Sequence, residues 1–160
     1  MQRAQQLAEE SAERTAAARA DFERALNRLW RLTGRPRLED NGFEFEHKTG
    51  EALVRVPDAL VSLPPIESAA RHRPDFVVRR GNRTVLVDVM AGRSFSPGRL
   101  RRRARELAAV LPRYDASEAF IAVPANVYSA AAEIELDVHV ELSTLSGLAS
   151  AVDRALGGSP

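Results

Sequence analysis

The clearest pattern of apolar and polar positions lies mid-chain. Phe76-Val77-Val78 is an apolar run opened by Pro74-Asp75 and broken at Gly81-Asn82, and Thr84 to Met90 forms a second run closed by Ala91-Gly92. Two short β-branched runs joined by a Gly/Asn turn predict a β-hairpin. Upstream, Thr15, Ala18, Phe22, Ala25, Leu26, Leu29 and Leu32 recur at three- and four-residue intervals, so an amphipathic helix is expected to about Thr33, stopped by Gly34 and Pro36. Residues 1–14 carry no apolar stripe and read as a polar helical arm, set apart from a single domain over 15–160. Phe43-Glu44-Phe45-Glu46-His47 alternates apolar and charged side chains, and Ala52 to Val56 follows a Thr49-Gly50 turn signal. Two further antiparallel strands are therefore expected there. Residues 59–70, with Pro64-Pro65, read as a loop.

Beyond the hairpin, Ser94-Phe95-Ser96-Pro97 has the look of a helix start, with serine to cap and proline in the first turn. The helix expected over 98–111 buries Leu100, Ala104, Leu107, Ala108 and Leu111, and exposes Arg99, Arg101, Arg102, Arg103 and Arg105. Ala119 to Val123 is a continuous apolar run, which predicts a strand covered on both faces and hence a parallel pair. A short helix over 129–133, a last strand over 138–142 and a closing helix over 145–156 complete the order α-β-β-β-β-α-β-α-β-α. That succession predicts a mixed α/β fold, an α+β mixed sheet flanked by helices.

Composition narrows the chemistry. The chain has 160 residues and no cysteine, which leaves oxygen and histidine as the metal donors to consider, and magnesium or manganese rather than structural zinc. Its net charge is only +1, so no global basic field marks a nonspecific DNA coat. Lys48 is the only lysine, and the rest of the basic side is arginine, whose fork suits phosphate. No apolar stretch reaches the length of a membrane span and the N-terminus lacks a signal-peptide core, so a cytoplasmic location without membrane contact is expected. The polar arm is expected to serve a homodimer or a partner protein.

Each strand of the central hairpin carries one aspartate in an apolar setting, Asp75 at the mouth of the first and Asp88 near the end of the second. An ionised carboxylate there must be paired, hydrogen-bonded or bound to a cation. A proline-aspartate, a hairpin and then an acidic residue, a spacer and a lysine form the signature of the PD-(D/E)XK nuclease superfamily. Pro74-Asp75 and Asp88-Val89 resemble its first positions, while Met90 stands where that family has lysine. The resemblance implies a restriction-endonuclease-like fold, Mg²⁺ or Mn²⁺ held by Asp75 and Asp88, and metal-dependent hydrolysis of DNA. It also implies a carboxylate from the first helix, for which Glu23 is the best-placed residue.

Period two puts Leu86, Asp88 and Met90 on one strand face, so Met90 is expected beside the metal. A cation to replace the lysine is then sought in Arg93, in the arginine row Arg99, Arg101, Arg102, Arg103 and Arg105, or in Lys48; the row and Lys48 are also the expected nucleic-acid contacts. The other reading is a nuclease-fold module that has lost catalysis and serves DNA binding or protein assembly.

Overall fold

The computed structural model describes residues 41–64, 73–91 and 95–157, together with residues 3, 5, 6, 9, 10, 13, 14 and 17. Those eight N-terminal residues are all helical and exposed. In chain order the elements are α1 (Asn41–Leu53), β1 (Leu60–Ser62), β2 (Phe76–Arg80), β3 (Arg83–Val89), α2 (Pro97–Val110), a 3₁₀ turn (Pro112–Tyr114), β4 (Glu118–Val123), α3 (Ala125–Ala131), β5 (Val140–Thr144) and α4 (Leu145–Ala155). The strands form one five-stranded sheet in the order β1-β2-β3-β4-β5. β1, β2 and β3 are antiparallel to one another, whereas β4 runs parallel to both β3 and β5. The protein is a mixed α/β fold.

The largest departure from expectation is α1. Phe43–His47 and Ala52–Val56, read above as strands, belong to one helix and its exit. The alternation of Phe and Glu is short, and a helical pattern overrides it. Phe45, Thr49, Leu53 and Val56 recur at helical spacing, and Thr49, Leu53 and Val56 are buried. Glu44 pairs with Lys48 at 3.1 Å, and His47 Nε2 lies 3.0 Å from Glu51 Oε1, both four residues apart. Gly50, which suggested a turn, sits buried inside the helix, where tertiary packing offsets its poor helix propensity. The expected loop over 59–70 contains the short edge strand β1 in its described part. The expected amphipathic helix over 15–33 falls, apart from Ala17, outside the described residues.

Elsewhere the chain follows its pattern closely. Gly81, first of the two hairpin-loop residues, takes φ 61°, a conformation that favours glycine and that two-residue hairpin loops demand. Ser96 caps α2, accepting the Arg99 N–H on its hydroxyl at 3.2 Å, and Pro97 opens the first turn. The last strand starts at Val140 rather than Val138, because His139 turns to φ 72° and leaves Val138 exposed. The short helix forms over Ala125–Ala131, earlier than expected, directly after Pro124.

Period two along β2, β3 and β4 sorts the core into two clusters, one on each sheet face. Phe76, Val78, Val85, Val87, Phe120 and Ala122 pack against Leu53 and Val56 of the α1 region and Leu148, Val152 and Leu156 at α4. Val77, Leu86, Met90, Ala119, Ile121 and Val123 pack against Leu100, Ala104 and Leu107 of α2 and Ala131 of α3. The crossovers through α2 and α3 both step outward from β3, so a common hand places both helices on one face. Thr144 ends β5 and caps α4, accepting the Gly147 N–H at 3.3 Å, which turns the chain back to the other face.

Candidate functional site

The register of the hairpin sets Phe76 opposite Val87, and Asp75 comes just before the first paired residue of β2 while Asp88 follows Val87 in β3. Both carboxylates therefore sit at the open end of the hairpin, where Asp88 keeps period two with Leu86 and Met90 along β3 and its exit. The two carboxylates hold each other's strand. Asp75 N–H donates to Asp88 Oδ1 at 2.9 Å, and Val89 N–H donates to Asp75 Oδ2 at 2.8 Å. These bonds offset part of the cost of placing Asp88, which is 0% exposed, at the rim of an apolar sheet. Asp88 Oδ2 is also 3.5 Å from Arg103 Nη1 on α2.

A third carboxylate comes from α1. Glu46 is half-buried, and burial pushes its pKa up, an effect that Arg73 opposes and the Asp88 charge reinforces. Burial likewise pushes the Asp75 carboxyl up, to about 8, with further contributions from the charges of Asp88 and Glu46; the Val89 amide and Arg103 work against the rise. Three carboxylates therefore feel one another at the carboxyl end of β3, the end of a parallel strand where open α/β sheets bind ligands. As placed, no three His, Asp or Glu side chains among the described residues surround a point fit for a metal ion.

Met90 follows on the same face as Asp88, only 4% exposed, and its N–H donates to Ala122 O at 2.9 Å, extending the parallel ladder. Beside it opens a cleft of about 480 Å³, walled by Val89, Met90, Arg99, Arg102, Arg103 and Glu106.

Of the residues expected at the site, Asp75, Asp88 and Met90 come together, and one member of the arginine row, Arg103, reaches them. Arg99 and Arg102 line the adjoining cleft, whereas Arg101 and Arg105 are exposed and not part of its wall. Lys48 is on α1 rather than on a hairpin and is paired with Glu44. Glu23 and Arg93 lie outside the described residues. Glu46 was missed because its segment was read as a strand; the helical spacing of Phe45, Thr49 and Leu53 was the signal that would have placed it.

No helix among the described residues is long and apolar enough to cross a membrane. Comparison with models of protein families, with curated proteins and with solved structures finds no match to this chain.

Proposed function

We propose that the chain is a PD-(D/E)XK-type nuclease domain of restriction-endonuclease-like fold that hydrolyses phosphodiester bonds in DNA with Mg²⁺ or Mn²⁺. The observation that carries this reading is the pair Asp75 and Asp88, each carboxylate bonded to the backbone of the other's segment, with Glu46 near enough to shift Asp75. The order α1, three antiparallel strands, α2, parallel strand supports it, being the superfamily's helix, three strands, helix, strand core.

The chemistry of the donors suits a hard dication. They are oxygen only and like-charged, and a bound cation would offset the burial and the neighbouring Asp88 and Glu46 charges that push the Asp75 carboxyl up. Asp75 and Asp88 would hold the ion and Glu46 would join from α1. A dication, when held here, would supply polarisation of the phosphate and acidification of a water. The protein's own part is to orient and to balance charge. Backbone amides of Asp75 and Val89 fix the two aspartates, and Arg103 supplies the cation that Met90 does not. Arginine stays protonated, so Arg103 stabilises developing charge on phosphate and does not serve as a base. Arg99 and Arg102 extend the positive wall along the cleft to meet the DNA backbone.

Incubation of plasmid and linear DNA with Mg²⁺ or Mn²⁺ is expected to give cleavage that falls at least about a hundredfold in Asp88→Asn. Unchanged cleavage in that variant overturns the assignment.

A second reading, a module of the same fold without turnover that serves DNA binding or protein assembly, is favoured by one observation. Met90 is packed into the core where the motif lysine would stand. Inert wild type together with strong Mg²⁺-dependent cleavage by Met90→Lys decides for that second reading.

A further inference from the structure

Arg99, Arg102, Arg103 and Glu106 fall at i, i+3, i+4 and i+7, so a single face of α2 forms the wall of the cleft beside the aspartates. Arg102 and Arg103 on this wall meet carboxylates in different ways. Arg102 Nε lies along the helix surface, 3.3 Å from Glu106 Oε1, with its side chain 80% exposed. Arg103 bridges two environments: it lines the cleft, its side chain is 37% exposed, and its Nη1 reaches the fully buried carboxylate of Asp88 at 3.5 Å. That separation is long for a charge-assisted bond, which settles at about 2.7–2.9 Å. A guanidinium carries five donors in a planar fork, and a phosphate offers it a bidentate partner that this single long contact does not.

We propose that Arg103 is shared between two anions, resting on Asp88 in the ligand-free chain and turning to a phosphodiester phosphate that enters the cleft. The inference rests on the metal-dependent reading of the site and adds how it is regulated. While Arg103 lies on Asp88 it places a positive charge beside both aspartates, since Asp75 feels it as well. Its departure leaves the carboxylates with one cation fewer and raises their affinity for a dication. Phosphate and dication then bind with positive coupling, and by linkage each favours the other. The site accepts its metal best when DNA is present.

Calorimetric titration of Mn²⁺ into the full chain without DNA tests the exchange, using wild type, Arg103→Gln and Arg102→Gln. The Arg102 variant removes the same charge from the same wall without touching Asp88, so it reports the general electrostatic effect. Arg103→Gln is expected to tighten Mn²⁺ binding roughly three- to tenfold, the scale of one partly screened charge-assisted contact, and Arg102→Gln by clearly less. Adding excess short duplex DNA, corrected for Mn²⁺ taken up by DNA alone, is expected to tighten Mn²⁺ binding in wild type by more than in Arg103→Gln, the ratio matching the first factor. Equal Mn²⁺ affinity in the two variants, or equal tightening by DNA in wild type and Arg103→Gln, overturns the exchange while leaving the metal site standing. Absence of Mn²⁺ binding from all three proteins, with and without DNA, overturns the metal reading and the exchange together.

Discussion

Two arginine–aspartate pairs stand at opposite ends of the β2–β3 hairpin, and they are built for different purposes. At the turn end, Arg80 Nη1 is 2.6 Å from Asp153 Oδ1 on α4, the same nitrogen donates to Pro57 O at 2.9 Å, and Nη2 donates to Asp153 O at 2.8 Å. Three short bonds tie β2, the exit of α1 and α4 into one clamp, with both side chains largely withdrawn from water. At the open end, Arg103 makes one contact of 3.5 Å with Asp88 and keeps 37% of its side chain in solvent. The first pair has every reason to stay made. The second joins a buried carboxylate that already accepts a backbone N–H to an arginine standing on the wall of a cleft. The arginine at the turn end is held by short, redundant bonds and the arginine at the open end by a long one, which marks Arg103 as the guanidinium placed to change partner.

The contrast can be sharpened first through pH. Asp75 is pushed up to about 8 by burial and by Asp88 and Glu46, against the opposing Val89 amide and Arg103. The folded chain therefore holds a proton that the unfolded chain has released. The contribution of this group is fully present below about pH 4 and is lost as pH rises through about 8. Wild type is expected to lose stability over that window by up to about 1.4 kcal/mol per pH unit, whereas Asp75→Asn, which keeps an oxygen for the Val89 N–H, shows a flatter profile. Urea midpoints at pH 5 and pH 8 measure it, and identical slopes in the two proteins would contradict the upward shift of Asp75. Glu46, raised in the same direction, adds to the wild-type slope in both.

Next in size is the clamp. Arg80→Ala strands the Asp153 carboxylate and two carbonyl bonds, and is expected to cost about 2–3 kcal/mol in chemical denaturation. Smallest is Arg103→Gln, expected to change metal-free stability by less than about 1 kcal/mol, because its contact is long and half in water. Were Arg103→Gln to destabilise as much as Arg80→Ala, the two pairs would be alike and both structural.

Much of this was legible in the residues themselves. The hairpin announced itself through β-branched runs around Gly81-Asn82, and period two along Thr84 to Met90 put Asp88 and Met90 on one face, where they are found. Ser96-Pro97 marked the start of α2, and Arg99, Arg101, Arg102 and Arg105 are exposed as expected, whereas Arg103 is half-buried and reaches Asp88. What escaped was α1. Five residues of apolar-charged alternation satisfy a strand and a helix almost equally, and the packing of Leu53 and Val56 in the α1 region against α4, a long-range contact, decides between them. With that segment read as a strand, Glu46 had no route to the site. The pairing of Asp75 with the amide of Val89, and of Asp88 with that of Asp75, depends on strand register and likewise has no signature in a single sequence.

The central claim is that Asp75 and Asp88 jointly take a hard dication. Thermal unfolding of wild type and Asp88→Asn across a Mn²⁺ titration at neutral pH addresses it directly. At a hundredfold excess over its dissociation constant the ion is expected to add about 2.7 kcal/mol to wild type, a rise of several degrees in Tm, and to leave Asp88→Asn where it was. A wild-type Tm that does not move with Mn²⁺, or one that climbs equally in Asp88→Asn, would contradict the account.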